Sequence, residues 1–396
     1  MLEKIKNRCK AKALRYDYYS HIKDIPIKDW NSVNSDNNVF LSLKYLKTLE
    51  NTLFESIKFR YIIFYDKNIP VALAAAQLIK FNPEQLKLQE FPCKINETIR
   101  NTLFKNIEIR VLVCGNLFSC GEHGFIYDST KIAAKEAFES LSNALKEIRK
   151  SENPEKPSFI LLKEFWPESF NSSDYIKDHD FREFRIDVNM VLQIHQSWTS
   201  FDDYLASMRT KFRTRAKKVF KKSEKIIVKY FEASDITNFK DDIDRLYLSV
   251  IDKADFKIGK LNSYTFTHLK QTLGDSFVFK GYFLDEKLVG FTTSFILGNA
   301  VDANHIGIDY AYNKEYDVYQ RMLYDYVDLA IEKRAKELRL GRTAEIIKSC
   351  VGAKPVEMKL YARHGNSISN ALLKPLVELI SPNEYEIRNP FKLQFD

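Results

Sequence analysis

The chain has 396 residues, 45% of them hydrophobic and 13% aromatic, with 12 Gly and 11 Pro. That supplies two or three ordinary cores and excludes a disordered, collagen-like or linker-rich protein. The net charge of +8 is held in one place: residues 209–225 carry nine Lys or Arg and one Glu, and the rest is neutral, which argues against a general nucleic-acid coat.

Five cysteines, Cys9, Cys93, Cys114, Cys120 and Cys350, are odd in number and scattered, a pattern of reducing compartments. The N-terminal stretch lacks the apolar core of a signal peptide. The most lipid-like run, VALAAAQLI from Val71, is nine residues long, against the roughly 20 a spanning helix needs. These features read as a cytoplasmic protein, with peripheral contact to a membrane surface left open.

In chain order, residues 58–79, KFRYIIFYDKNIPVALAAAQLI, alternate as a β-hairpin with a polar turn built on Asp66. A strand (IEIRVLVCGN), a helix (TKIAAKEAFESLSNALKEIRK) and a strand (SFILLKEF) follow. The order then repeats. Residues 277–298 predict a second hairpin with its turn at Asp285, followed by the strand VDANHIGIDY, the helix DVYQRMLYDYVDLAIEKRAKE and the strand LRLG. Val318, Met322, Tyr326 and Leu329 give that helix one apolar stripe. Strand–helix–strand order implies a crossover and a locally parallel sheet. The simplest account is an α/β (α+β) chain of two copies of one unit, residues 1–185 and 186–396, with the boundary in the polar NSSDYIKDHDFREF. In the first unit, Cys114, Cys120 and His123 in CGNLFSCGEHG lack a fourth zinc ligand, so this segment reads as a tight loop able to line a pocket, and no metal is expected.

The basic segment lies at the entry to the second unit. Ser200 and Asp203 form a capping-box-like start. Phe201, Tyr204 or Leu205, Met208, Phe212, Ala216, Val219 and Phe220 then recur as the core face of one amphipathic helix. Its cations cover most of the remaining circumference, which suits a solvated face or attraction of an anionic partner better than base readout. Near the C-terminus, LRLGRTAEIIKSCVGAKPVEMKLYARHG predicts a strand, a turn at Gly341–Arg342–Thr343, a short helix over 344–351 and a stop at Gly352. The alternating VEMKLYAR then reads as one strand. Arg342 at a strand end and Lys348 on the short helix suit a carboxylate, a phosphate or a developing oxyanion. Lys348 is equally a surface lysine paired with Glu345.

The motif of a strand ending in Gly-Arg, a short helix with Lys, then Gly-x-x-Pro and a strand reaching Tyr361, resembles the C-terminal signature of FemAB-like proteins in the GNAT acyltransferase superfamily. The stretch from Trp198 to Lys218 is similar to the opening of their second domain. The resemblance implies two GNAT-like domains, each a mixed sheet flanked by helices, and acyl or aminoacyl transfer to an amine in cell-envelope or lipid biosynthesis. The donor would be acyl-CoA, an acyl carrier protein or aminoacyl-tRNA, and the acceptor a small-molecule, lipid or peptidoglycan-precursor amine. Lys348 and Arg342 match the motif's charge-stabilising pair, and Tyr361 falls where an acid often serves the leaving group. In such a fold Asp309 or His305 would border the cleft as a base, and Tyr319, Arg321, Arg215 and Lys218 would line the donor's approach. The glycine-rich pyrophosphate loop of most GNAT enzymes is absent from GIDYAYNKEYDVYQRMLY, so the donor stays open among the three. The competing reading is a catalytically degenerate fold that binds nucleic acid or an anionic envelope surface.

Overall fold

The computed structural model describes residues 14–35, 38–81, 109–253, 260–371 and 386–395. Cys9, Cys93 and the N-terminal stretch through residue 13 lie outside the described residues. The first half runs β1 (Arg15–Tyr19), α1 (Ile27–Val33), α2 (Leu43–Leu53), β2 (Lys58–Asp66), β3 (Ile69–Phe81), β4 (Ile109–Cys114), β5 (Phe125–Tyr127), α3 (Ala134–Ser151), β6 (Phe159–Phe165), α4 (Phe170–Ser173) and β7 (Arg182–Phe184). The second opens with β8 (Val188–Gln193), α5 (Phe201–Ser207), α6 (Thr210–Lys222), β9 (Ile226–Tyr230), α7 (Ala233–Asn238), α8 (Lys240–Ile251) and α9 (Ser263–Leu273). It continues through β10 (Phe277–Leu284), β11 (Lys287–Leu297), β12 (Ala300–Ile308), α10 (Tyr310–Tyr316), α11 (Val318–Glu332), β13 (Glu337–Arg339), α12 (Glu345–Ser349), β14 (Lys354–Glu357) and β15 (Lys359–His364).

The described strands form two mixed sheets. The order is β1-β2-β3-β4-β6-β15-β7 in the first, with β5 also on β3, and β14-β8-β13-β12-β11-β10-β9 in the second. The repeat read from the sequence is present in both. β2–β3 and β10–β11 are antiparallel hairpins, each with a register shift two pairs before a two-residue turn. The turns differ from expectation in one detail. Asp285 is a left-handed loop residue at φ 54°, whereas Asp66 ends its strand and Lys67 takes the left-handed position at φ 56°. β4 pairs parallel with β6, and β12 with β13, because α3 and α11 carry the chain across. Val318, Met322, Tyr326 and Leu329 are all buried, as the stripe requires.

Two expected elements divide. The helix read across residues 200–220 is two helices, because Met208 and Arg209 are extended. They pair there with the C-terminal segment: Met208 bridges Phe391, and the Arg209 N–H donates to the Pro390 carbonyl at 2.8 Å. The Ser200–Asp203 capping box forms, and the intended core face is buried or partly buried. The run VEMKLYAR likewise splits at Met358. β14 stays on β8 in the second sheet, while β15 crosses to lie between β6 and β7 in the first. The polar stretch at 171–184 is ordered as part of α4, a 3-10 turn at Asp174–His179 and β7, with Ile176 and Phe181 buried.

One apolar cluster spans both halves. Phe40 is fully buried, and its ring lies 4.8 Å from that of Phe295 and 5.2 Å from Tyr45. Each such aromatic contributes about 2–3 kcal/mol through burial, so the halves are held by the same force that holds each core.

Candidate active site at the junction of the halves

Beyond Arg339, β13 no longer pairs with β12, and the chain turns through Gly341 and Arg342 into two successive left-handed non-glycine residues, Thr343 at φ 62° and Ala344 at φ 55°. That conformation costs about 1–2 kcal/mol per residue. It folds α12 back over the turn, so that the Lys348 ammonium donates to the Gly341 carbonyl at 3.2 Å and to the Arg342 carbonyl. Lys348 is therefore 5% exposed and is not the surface partner of Glu345. Burial pulls its pKa down to about 8, so it remains mostly cationic at neutral pH with two of its three N–H groups engaged. Gly352 ends the segment at φ 100°, where a Cβ would stand 2.2 Å from the Phe391 ring.

The first half reaches this turn through two elements. Near the end of β6 stand Lys163 and Glu164, the latter completely buried and left-handed at φ 61°. Glu164 pairs with the Arg342 guanidinium across the junction, and accepts from Lys163 at 2.7 Å and the Gly121 N–H at 2.8 Å. The second element is the loop 116–123 between β4 and β5. It is pinched shut because both ends bond to Ala75, and a Cβ on Gly124 would stand 2.4 Å from the Gly115 nitrogen. Lys163 donates to the Ser119 carbonyl of this loop at 2.6 Å. Burial, with Arg342 nearby, draws the Lys163 pKa below the usual lysine range, against the opposing pull of Cys120 and Asp302. Arg339 stacks 4.9 Å over Trp166 of the first half and pairs with Glu337. Three cations thus meet three acids at the junction: Lys163 and Arg342 at Glu164, Arg339 at Glu337, and Lys163 and Arg339 beside Asp302 of β12.

The other expected site residues are distributed unevenly. Arg215 comes to the same short helix: its guanidinium lies 3.2 Å from the Cys350 sulfur and 3.4 Å from Gln320, walling a small pocket with Tyr324 and Ile347. Tyr319 stands half-buried on the first turn of α11, its N–H on Asn313. Lys218 is exposed, with no partner among the described residues. Arg321 is held by Asp325 at 2.9 Å and lies 4.7 Å over Phe220, joining α11 to α6. Asp309 caps α10 and sits 3.3 Å from Lys287 and 3.4 Å from Arg245. Against its partial burial, the cap bond and Lys287 keep its pKa low. His305 lies at the junction, but its ring bonds the Tyr247 hydroxyl at 3.2 Å, and burial pushes its pKa down to about 4. Tyr361 packs in the first core beside Phe165, its hydroxyl on Ser173 at 2.8 Å and Asp174 at 2.7 Å. The geometry therefore gathers Lys348, Arg342 and Arg215, and leaves Asp309, Arg321 and Tyr361 in structural bonds.

Sequence reasoning passed over Glu164, Lys163 and Asp302. The available signal was a charged side chain inside an apolar strand, in SFILLKEF and VDANHIGI. Between β12 and α11 stands α10, where a glycine-rich loop would otherwise bring a helix N-terminus to a pyrophosphate. Among the described residues no group of three or more His, Cys, Asp or Glu is placed to hold a metal, and no helix is long and apolar enough to cross a membrane.

No family model matches the chain, and no curated protein matches its sequence. Solved structures do. A tandem GNAT protein from the clavulanic acid biosynthesis pathway superimposes over 89% of this chain and 99% of its own, with a TM-score of 0.53 and 7% identity. FemX superimposes over 85% of this chain and 93% of its own, with a TM-score of 0.51 and 12% identity. The chain has the tandem GNAT fold. Its fold is also similar to that of FemX, as the resemblance of the Gly-Arg…Lys motif implied.

Proposed function

We propose that the chain is an N-acyltransferase moving an acyl or aminoacyl group from an activated donor to an amine. The observation that carries this reading is the Lys348 ammonium, buried and fixed by two backbone carbonyls beside a guanidinium that the other half holds in place. A preorganised cation of that kind is what an acyl oxygen needs as it gains negative charge under amine attack. The third N–H of Lys348 is left for that oxygen, and Arg342 adds positive field to the turn. Arg215, Tyr319 and the exposed cations of α6 line the approach of an anionic donor such as acyl-CoA, a carrier protein or aminoacyl-tRNA, and the acceptor is a small-molecule or envelope-precursor amine.

The test uses the full chain with labelled acetyl-CoA, acyl carrier protein and aminoacyl-tRNA in turn, each with a panel of amines. Transfer in the wild type that disappears in Lys348→Met, a substitution that keeps side-chain bulk, is the expected result. Absence of transfer from every donor, or full activity in the variant, refutes the reading.

A further inference from the structure

Resting on the acyl-transfer reading, the geometry points to a seat for the acceptor's primary amine at the junction, formed by Asp302 of β12 with His123 and Ser119 of the 116–123 loop, in which Asp302 takes the amine's proton. Asp302 is 2% exposed, and its Oδ2 has no hydrogen-bond partner among the described residues. His123 is 5% exposed and spends Nε2 on the Cys120 carbonyl at 3.0 Å, which leaves Nδ1 a bare acceptor, again without a partner among the described residues. The Ser119 hydroxyl, 7% exposed, is in the same condition. Buried polar atoms are rarely left unpaired in native folds, and acceptors gathered in one place mark where a ligand's donors belong.

These groups share one neighbourhood. Lys163 and Arg339 are charged neighbours of both His123 and Asp302, and Lys163 also binds the Ser119 carbonyl. The Phe40 ring lies 4.3 Å from His123 and 4.8 Å from Phe295, which is the cross-strand partner of Asp302. The seat abuts Lys348. Asp302 is the last residue of β12 paired with β13, opposite Arg339, and the carbonyl of the next residue, Ala303, lies 4.0 Å from where a Cβ on Gly341 would stand. Gly341 is one of the two carbonyls that hold the Lys348 ammonium.

The chemistry suits a primary amine, whose N–H groups answer a cluster of acceptors. Lys163 and Arg339, the cations beside both Asp302 and His123, oppose a further positive charge there and so favour the neutral, nucleophilic amine. Asp302 is faced by Arg339 and Glu337 of β13, Lys163 of β6, Asn304 of its own strand, and the hydroxyls of Tyr45 on α2 and Tyr326 on α11. Burial outweighs the two cations and lifts its pKa to about 7, matched to proton transfer near neutrality. In the step, the amine nitrogen bonds to the acyl carbon, and the bond from that carbon to the donor's leaving atom breaks with its electron pair on the leaving atom. The surplus proton on nitrogen passes to Asp302 and then to solvent, and the leaving atom takes one from solvent.

The seat is tested with [13C]methylamine titrated into the full chain and followed by carbon NMR. A saturable shift at pH 8 is expected, weakened at least tenfold in Asp302→Asn and weakened again below pH 7, where the carboxylate is protonated. Lys348→Met retains it. His123→Phe, which fits beside Phe40, weakens it too and serves if the Asn variant does not fold. Wild type without saturable binding, or variants binding as wild type does, overturns the seat. A wild type that binds methylamine but transfers no acyl group refutes the transferase reading instead, and undiminished transfer by Asp302→Asn refutes the seat alone.

Discussion

Each half ends its parallel pair with charge, but the two ends are built differently. Near its end β6 carries half-buried Lys163 and fully buried Glu164, and both are consumed by bonds to each other, to the loop and to Arg342. β13 instead opens into a turn whose two left-handed residues present Lys348. A duplicated unit has thus been given two uses: one strand end is a clamp, the other a candidate catalytic surface. The clamp also works across the repeat, since Glu164 of the first half grips Arg342 of the second while β15 returns from the second half to complete the first sheet. Neither half is a self-sufficient copy.

The sharpest way to break that comparison is to remove the cation of the second end. Lys348→Met is expected to lower kcat about 10²–10³-fold with little change in donor KM, the range for losing one preorganised oxyanion donor. Alanine is a poorer test, because it also empties a buried site and strips two carbonyls of their donor. Steady-state kinetics with a fixed donor decides the matter.

The second effect is on stability and pH. The folded-state pKa of Asp302, about 7, lies above its ordinary 3.8, so the folded chain holds this proton more tightly than the unfolded one. Its contribution is therefore full below about pH 4 and is lost as pH rises through 7. Asp302→Asn keeps a neutral group at all pH values. It should melt above the wild type at pH 8, by at most roughly 4 kcal/mol from the size of the shift, and converge with it near pH 4. Thermal melts across that range are the measurement, and a variant that gains nothing at pH 8 shows an unperturbed carboxyl. A gain in stability with a loss of amine binding is the signature of a functional buried charge.

Breaking the clamp comes next. Glu164→Gln leaves the half-buried Lys163 and Arg342 without their countercharge, at a cost of about 2–3 kcal/mol. Because the Arg342 carbonyl is one support of Lys348, turnover should fall with it. Unchanged melting and unchanged turnover would mean that the halves are only packed, not coupled. Tyr361→Phe is the control in the first core. Losing the hydroxyl bonds to Ser173 and Asp174 costs about 1 kcal/mol and leaves kcat as it was, whereas a drop in kcat would restore this tyrosine to the chemistry.

How much of this was readable beforehand follows the range of the interactions. The hairpins, the crossover order, the stripe on α11 and the capping box at Ser200 are local patterns, and they appear where periodicity put them. The break at Met208 depends on Pro390 and Phe391, nearly two hundred residues away, so no helical period reveals it. Alternation in VEMKLYAR says that a strand exists but not which sheet owns it, and Met358 divides it between two. Lys348 and Arg342 were legible from a motif. Glu164 and Asp302 take their meaning from partners in the other half, and Asp309 and Tyr361 lost theirs to bonds that a sequence does not show.

The smallest expected effect concerns α6. Lys217, Lys218 and Lys221 are exposed there, while Lys222 is tied to Asp317 at 3.2 Å and Arg215 to Cys350. Lys218→Glu touches no core residue and should leave melting within about 0.5 kcal/mol. Its effect belongs to encounter with an anionic donor, so donor KM should rise severalfold at low salt and the difference should fade as salt shortens the Debye length. Comparing donors makes this informative: tRNA and a carrier protein present many phosphates or carboxylates to the helix, and CoA only a few, so the salt slope of the Lys218→Glu penalty should be steepest for the true macromolecular donor and shallow for CoA. A penalty independent of salt would place Lys218 in a direct contact. No penalty with any donor would leave the basic face as solvated surface, and Arg215 at the pocket beside α12 as the nearer place to look for donor recognition.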